Sequence, residues 1–554
     1  MGGLEGRLEF LVNGPDHLQA APSPLVVHED EHLLVTNKPA GWNTHSPSPW
    51  AGEGLYEWLR NRERKWATLA IVHRLDKETS GLLVFTKSSL ANKSLTDQFT
   101  RRSTRKQYFL VTDRLVEFDQ QTVDSEIHKV GDTYAVSPPG QGSHEALTRF
   151  RKIGPHPAGT LVEAVPLTGR THQIRVHAAH LGIPILGDTL YGGSPANRLH
   201  LHAACLEFSD PASGKTLRFS TPPRFEESQA DQIRNVIIDP ECTNAFRIRH
   251  GLGDVVKGLY LEQFADRLLC QSESPLTPRE LEIVQAVAVQ TRSRSVWHKA
   301  LERQIQGKSR AKISPQQVSG GQESPSVIVK ENGVRFEIRF NEGYSVGLFL
   351  DQRDNRRRVA ANYVSPGFPI RDEGLNGTTC LNLFAYTCGF SVCAALAGAR
   401  ATSVDLSKKY LDWGRTNFAH NQCRPEDHDF LQGETFDWLR RFAKKGRVFD
   451  LVIADPPTFS QSKEHGSFKI DRDLSELAAS AAAVVKPGGV LFLSTNGMGI
   501  TPEKFDATIR ETLFTLARPV LQSHYQPQPP DFPVTRSEPA HLKSLWLRLG
   551  PSRP

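Results

Sequence analysis

Residues 73–83 read His-Arg-Leu-Asp-Lys-Glu-Thr-Ser-Gly-Leu-Leu and place one carboxylate, Asp76, between basic side chains and a Thr-Ser-Gly turn. A carboxylate held beside basic groups can act as a nucleophile. The same basic groups would attract phosphate into the pocket. This run therefore predicts nucleophilic chemistry on a phosphate-bearing substrate.

A second set of chemistry-bearing residues lies far downstream. Residues 379–390 have the pattern of a strand that enters a small-residue turn, where a nucleotide-like ligand can approach the backbone. Asp405, Glu434 and Asp455 follow at the ends of successive strand-like segments. There Asp405 could accept hydrogen bonds from two ribose hydroxyls, and Glu434 could face an adenine edge. Residues 455–460, Asp-Pro-Pro-Thr-Phe-Ser, thus imply a different chemistry from that of Asp76.

The elements that must position the first set lie in residues 22–230. Short apolar runs, broken by polar and proline-containing turns, are typical of strands. Strands outnumber helices and no regular strand–helix alternation appears, so we expect an antiparallel α+β domain over residues 1–230. Prolines and charged residues at 220–227 mark the linker that ends it.

A small α+β module is expected over residues 240–340. The pattern predicts a strand at 245–248, a helix over 278–306 and a flexible polar loop over 307–324. Residues 327–338 are predicted to form a hairpin, because their central Asn-Gly pair suits a type I′ turn.

Strands and helices alternate from residue 345 to the end of the chain. The predicted strands are 378–384, 401–404, 450–454 and 490–494, and the predicted helices are 389–397, 407–421 and 474–485. Such alternation is typical of a doubly wound, Rossmann-like α/β domain, which binds ligands at the carboxyl ends of its strands. We therefore expect the third domain at 345–554.

The bulk composition is that of a soluble, globular, mildly basic protein. The 554 residues suffice for about three domains, and the net charge of +6 is compatible with a polyanionic partner. The seven cysteines are odd in number and form no C-x-x-C pair, so we expect neither a disulfide nor a metal site, and we expect the apolar cluster Cys380, Cys388 and Cys393 to be packing residues. Neither a signal peptide nor a membrane span is evident, which favours the cytoplasm.

The first block resembles the RluA-type pseudouridine synthases over nearly all of residues 22–230. Two motifs carry the resemblance: residues 73–83 and the Gly-Arg-Thr-His-Gln-Ile-Arg-Val-His run at 169–177. It implies that Asp76 is the nucleophile, that Tyr108 packs against the target ring, and that Arg175 pairs with Asp76 and lowers its pKa. It also implies an RNA substrate without any cofactor. The expected RNA contacts are His73, Arg74 and Arg170, although Arg74 could equally form a structural salt bridge.

The remaining chain, from about 240 to 554, resembles class I S-adenosylmethionine-dependent methyltransferases. More narrowly it is similar to the large-subunit rRNA methyltransferases of the RlmI and RlmK type, through residues 347–356 and the RlmK form of residues 455–460. The resemblance implies S-adenosylmethionine as cofactor and Asp455 as a catalytic residue. The implied cofactor contacts are Arg353, Phe384, Tyr386, Gly389, Asp405 and Glu434.

The absence of a cysteine thiol from two segments limits which base atom can accept the methyl group. Methylation of cytosine C5 needs a cysteine that adds to the ring. Neither residues 455–458 nor residues 494–497 contain one, so a base nitrogen is favoured. Guanine N7 has an exposed lone pair and needs only positioning, as the RlmK resemblance implies. Adenine N6 stays open.

Together these patterns predict a bifunctional RNA modification enzyme that acts on large-subunit rRNA or its precursor particle. Transfer RNA is the alternative substrate. One half could instead be an RNA-binding module without turnover, or the chain could be a ribosome-assembly factor whose modifications are incidental. No membrane, disulfide or metal partner is expected.

Overall fold

The computed structural model describes residues 25–138, 140, 144–301, 314–343, 345–462, 466–535 and 537–551. Side chains are described for these residues except 459–467. The predictions for the amino-terminal segment and for residues 302–313 lie outside this range. The chain divides into two compact units, of which the first comprises residues up to Pro47, Gly54–Arg60 and Thr68–Ile237. Within the described ranges, no helix has the length and apolar character that a membrane crossing requires.

The first unit is built on a mixed sheet of eleven strands in the order β1-β2-β4-β10-β5-β9-β8-β6-β7, with β3 paired to β4 and β11 paired to β10. All its pairs are antiparallel except β4 with β10, which confirms an α+β domain. The strands are β1 Val26–Glu29, β2 Leu33–Lys38, β3 Ala70–Ile71, β4 Ser80–Thr86, β5 Arg105–Thr112, β6 Gln120–Val130, β7 Thr133–Ser137, β8 Glu145–His156, β9 Gly159–Pro166, β10 Leu201–Ser209 and β11 Thr216–Ser220. The helices are α1 Leu55–Arg62, α2 Ser89–Thr100, α3 Gln173–His180 and α4 Gln229–Ile237.

Three central elements of this sheet bring distant motifs together. The Asp76 loop leads directly into β4, Tyr108 lies on β5, and Arg175 lies on α3. Strands β4 and β5 flank the same strand, β10, while β9 continues from the other edge of β5. Buried apolar side chains of β5, β9, α3 and β10 form one core cluster under these residues.

The second unit begins with a five-stranded sheet, β12-β13-β14-β15-β16, and a separate hairpin of β17 and β18. At the hairpin turn Asn332 and Gly333 have φ values of 49° and 83°, as a type I′ turn requires. The elements are β12 Ala245–His250, β13 Leu259–Phe264, β14 Arg267–Ser272, α5 Pro278–Gln290, β15 Ser295–Ala300, β16 Gln316–Gly320, β17 Ser326–Glu331 and β18 Val334–Arg339.

Two predictions for this module are wrong. The helix predicted over 278–306 ends at Gln290, because Arg292 takes a left-handed φ of 52° and the next residues form β15 in parallel register with β14. Residues 316–320, predicted as loop, form β16 and pair with β15. Strand β15 buries Val296 and Trp297, so packing outweighs the helical pattern there.

The rest of the second unit is a seven-stranded sheet in the order β21-β20-β19-β22-β25-β27-β26. Its first five strands are parallel and β27 and β26 are antiparallel, which confirms the doubly wound α/β prediction. The strands are β19 Thr379–Leu383, β20 Arg400–Asp405, β21 Asp429–Gln432, β22 Phe449–Ala454, the hairpin β23 Phe459–Ser462 and β24 Gly466–Lys469, β25 Val485–Thr495, β26 Val520–Pro527 and β27 Lys543–Leu549. The helices are α6 Arg353–Ala360, α7 Gly389–Leu396, α8 Lys408–His420, α9 Thr435–Lys444, α10 Ile470–Ala482 and α11 Pro502–Thr515.

Candidate active sites

The first unit contains a cavity of about 810 Å³ that gathers all six residues predicted for its site. The loop that carries Asp76 is held from below by Lys38, whose Nζ donates to the carbonyls of Pro39 (2.9 Å), Trp42 (2.7 Å) and Lys77 (3.0 Å). Burial lowers the pKa of this lysine to about 7. Lys38 is a positioning residue, since it ties the Asp76 loop, through Lys77, to the segment at residues 39–42.

The partner of Arg175 differs from the prediction. Its Nε and Nη2 donate to the two carboxylate oxygens of Asp188 at 2.8 and 2.7 Å, and both side chains are buried. The bidentate hydrogen bonds of Arg175 thus go to Asp188 rather than to Asp76, while the charge of Arg175 still lowers the pKa of Asp76 as predicted. The remaining Nη1 is buried without a hydrogen-bond partner. Arg175 thus keeps one unused donor in the wall of the cavity.

The charge state of Asp76 also departs from expectation. Burial raises the pKa of Asp76, and the charge of Arg175 and the protonated form of His172 only partly oppose that rise. Tyr108 lies in the same cavity, where burial and the charge of Asp76 raise the pKa of its hydroxyl, so it stays protonated. The structure brings Asp76, Tyr108 and Arg175 together, while their roles in the reaction stay predictions.

The basic residues of the cavity differ in their exposure, hydrogen bonds and charge. Arg74 is exposed, and Arg170 donates through Nε to the Glu145 carbonyl at 3.0 Å. His73 instead accepts a hydrogen bond from the Val84 amide at 3.1 Å, and burial lowers its pKa to about 3. His73 is therefore a neutral wall residue, and it offers no positive charge to an RNA phosphate. Sequence reasoning assigned no role to Lys106 or His172, which also line the cavity, although His172 lies inside the motif at 169–177.

The second unit has a cavity of about 610 Å³ at the carboxyl ends of β19, β20 and β22. The Asp405 carboxylate accepts hydrogen bonds from the amides of Tyr386 and Ser407, both at 2.8 Å, and so ties the turn after β19 to the turn after β20. In the first turn, Phe384, Tyr386 and Cys388 all have left-handed φ values, of 55°, 49° and 63°. Such strain in non-glycine residues concentrates at ligand sites.

The opposite wall of this cavity is formed by Asp455 and its neighbours. Its Oδ1 accepts from Gln352 Nε2 at 2.9 Å and from Ser494 Oγ at 2.5 Å, and burial raises the pKa of Asp455 to about 6. Asn496 also lines this wall, and its Oδ1 is buried without a hydrogen-bond partner. Phe349 presents an exposed ring 5.4 Å from that of Tyr386. Sequence reasoning did not single out Gln352, Asn496 or Phe349.

Two predicted cofactor contacts, Arg353 and Gly389, are not among the described residues that line the cavity. Arg353 is buried and donates from Nη1 and Nη2 to Asp531 at 2.8 and 2.7 Å. Its guanidinium therefore forms a structural ion pair. Gly389 is not among the described lining residues, and a Cβ placed on it would lie 3.2 Å from the side chain of Arg356. Among the residues that line the cavity in the described part of the chain are Phe384, Tyr386, Asp405, Glu434 and Asp455.

The side chains of the second cavity fit S-adenosylmethionine. Asp405 and Glu434 are carboxylates that can accept hydrogen bonds from ribose hydroxyls and an adenine amine, and the rings of Phe384 and Tyr386 offer flat apolar faces. The cysteines Cys380, Cys388 and Cys393 are buried free thiols, as expected of packing residues. Within the described residues, His, Cys, Asp and Glu side chains form no group of three or more that could hold a metal ion.

Comparison with known proteins assigns both halves. Residues 32–180 match the family described as RNA pseudouridylate synthase, and residues 256–548 match S-adenosylmethionine-dependent methyltransferase. The chain is 31% identical over 292 residues to the "Putative ribosomal RNA large subunit methyltransferase YwbD" of Bacillus subtilis (strain 168), covering 51% of this chain and 70% of that protein. It is 37% identical over 224 residues to the "Ribosomal large subunit pseudouridine synthase C" of Escherichia coli O6:H1 (strain CFT073), covering 37% of this chain and 69% of that one.

Solved structures include similar folds. The crystal structure of SMU.776, "a putative methyltransferase complexed with SAH", aligns with a TM-score of 0.48 at 23% identity over 58% of this chain and 79% of that chain. The family matches and the curated relatives, rather than this likeness, decide the assignment. The chain belongs to the S-adenosylmethionine-dependent methyltransferases and, through its amino-terminal half, to the RNA pseudouridylate synthases.

Proposed function

We propose that the chain converts a uridine to pseudouridine and methylates guanine N7, both in large-subunit rRNA or its precursor particle in the cytoplasm. The observation that carries the proposal is the presence of two separate cavities, each with a partly desolvated aspartate, in a chain of both families. The names of the relatives support rRNA as the substrate, because one refers to the large ribosomal subunit and the other to its RNA.

In the first cavity, the target uridine must leave its stack to reach Asp76, at a cost of a few kcal/mol. Arg74 and Arg170 can offset this cost by contacting the backbone phosphates. Asp76 acts as the nucleophile in its ionised form, and the charge of Arg175 favours that form against the effect of burial. Tyr108 supplies an uncharged flat face for the flipped ring.

In the second cavity, S-adenosylmethionine supplies the methyl group when it is bound. Guanine N7 has an available lone pair, so no proton has to be removed before transfer. The base becomes positively charged as N7 gains the methyl group, and the Asp455 carboxylate can stabilise that charge. No cysteine lines this cavity in the described residues, which supports a nitrogen target. The unpaired Oδ1 of Asn496 can accept a hydrogen bond from the exocyclic amine of a base.

The test uses purified protein and rRNA from cells that lack the gene. Incubation with labelled S-adenosylmethionine should place the label in N7-methylguanosine, identified by nucleoside mass spectrometry, and pseudouridine should form in the same RNA. Asp455→Ala should abolish only the methyl mark and Asp76→Ala only the pseudouridine. Label in N6-methyladenosine would refute the guanine proposal. Formation of one product alone would make the other half a binding module, and activity on tRNA alone would refute the substrate.

A further inference from the structure

His172 occupies an unusual position in the pseudouridine synthase cavity. It precedes helix α3 with a left-handed φ of 57°, a conformation that costs a non-glycine residue about 1–3 kcal/mol. It lines the same cavity as Asp76, and the two groups interact electrostatically when the imidazole is protonated. Such backbone strain persists only where the surrounding structure fixes the conformation, and it is concentrated at functional sites.

Two tyrosines hold the imidazole of His172. Its Nδ1 lies 2.8 Å from the Tyr191 hydroxyl, and the rings of Tyr134 and Tyr191 meet it edge-on at 5.5 and 5.6 Å. Tyr191 Oη also accepts a hydrogen bond from the Tyr134 amide at 3.1 Å, and the guanidinium of Arg175 lies 5.1 Å from the centre of the Tyr191 ring. No described residue forms a hydrogen bond with Nε2, the other ring nitrogen. In the tautomer that donates from Nδ1 to Tyr191, Nε2 carries a free lone pair.

The isomerisation needs a proton acceptor in addition to the nucleophile. Once the ring has turned and its C5 has bonded to the sugar, C5 carries both that bond and its original hydrogen. The product requires that the C5–H bond break, that its electron pair return to the ring, and that N1 gain a proton. Asp76 serves the bond changes at the sugar, so a second group is well suited to these proton transfers.

We propose that His172 is a catalytic residue of pseudouridine formation, whose Nε2 accepts the proton from C5 of the base and delivers a proton to N1. Hydrogen and charge balance, because one C–H bond is replaced by one N–H bond. Burial and the charge of Arg175 lower the pKa of His172, so the ring is neutral and able to accept a proton. The acidic groups near it, Asp76, Asp188 and Glu78, would stabilise the imidazolium that forms.

The test separates proton removal from the earlier steps. Substrate rRNA carrying tritium at uridine C5 releases tritium to water only when C5 loses its hydrogen. With 5-fluorouridine in the RNA that step is blocked, so the covalent adduct with the protein reports the steps before it. His172→Gln should slow tritium release at least 100-fold, within the range for general acid–base catalysis, and should form the adduct at the wild-type rate.

Two further variants complete the design. His172→Gly fits the left-handed backbone without strain, and added imidazole should restore its tritium release. His180→Gln, at the exposed end of the same helix, should leave both readouts unchanged. Tritium release at the wild-type rate in His172→Gln, or parallel loss of release and adduct without imidazole rescue, would overturn the proposal. The inference rests on the proposed rRNA substrate. If rRNA is not the substrate, the wild-type protein itself would release no tritium, which distinguishes that outcome from a failure of the His172 proposal.

Discussion

The buried ion pair between Arg175 and Asp188 should dominate the stability of the pseudouridine synthase unit. Both side chains are almost inaccessible, with exposures of 5% and 0%, and they share two hydrogen bonds of 2.7 and 2.8 Å. Asp188→Asn keeps the shape but leaves a buried guanidinium without its hydrogen-bonded counter-charge. Breaking a buried pair in this way costs about 3–5 kcal/mol of unfolding free energy.

Urea unfolding, followed by hydrogen exchange of peptides from each unit, measures this cost. For a urea dependence of about 2.5 kcal/mol per molar, a loss of about 4 kcal/mol moves the midpoint down by about 1.6 M. Peptides of the second unit serve as an internal control. Glu145→Gln is the matched control variant, because its pair with Arg102 is exposed and should contribute at most about 1 kcal/mol.

A double-mutant cycle sharpens the prediction. Replacing Arg175 by Met in the Asp188→Asn background removes the unpaired charge and should recover a large part of the lost stability, without recovering activity. A change below about 1 kcal/mol in Asp188→Asn would refute the reasoning, because it would show that Arg175 finds another partner or reaches water.

Further predictions concern single side chains of the two cavities. The rate of methyl transfer should fall as the pH drops through about 6, where Asp455 becomes protonated. The hydrogen bond from Ser494 lowers the pKa of Asp455, so in Ser494→Ala this fall in rate should occur at higher pH. A pH–rate profile of each protein checks both expectations. Asp405→Ala should weaken S-adenosylmethionine binding about 10–100-fold in calorimetry, since hydrogen bonds to charged groups contribute about 1.5–3 kcal/mol, and should leave pseudouridine formation intact. Lys38→Met should reduce the rate of covalent adduct formation by Asp76, because the hydrogen bonds that tie the Asp76 loop at Lys77 to the carbonyls of Pro39 and Trp42 are lost.

Local sequence motifs predicted many of the residues that line the two cavities. Residues 73–83 and 169–177 each have a short, specific pattern, and both line the first cavity. Asp405, Glu434 and Asp455 end successive strands, so the strand pattern alone indicated that they meet at one edge of the sheet. These successes depend on sequence-local information, namely strand ends and turns.

The sequence did not predict those side-chain partners and charge states that depend on residues brought together only by the tertiary fold. Arg175 had two acids within reach, and the fold gives Asp188 the bidentate geometry. Arg353 lies in a recognised motif, but its partner Asp531 is far away in sequence. Likewise, the charge of His73 is removed by burial and by a backbone amide of β4, neither of which its sequence neighbours reveal.

The central claim, that one chain makes both marks on one RNA, is tested most directly by a nucleotide-resolution map of rRNA from four strains. These carry a deletion of the gene complemented with wild type, Asp76→Ala, Asp455→Ala or an empty vector. We predict that the empty vector loses one pseudouridine and one N7-methylguanosine in the large-subunit rRNA, and that each variant loses only its own mark. Retention of both marks in the empty-vector strain would contradict the claim.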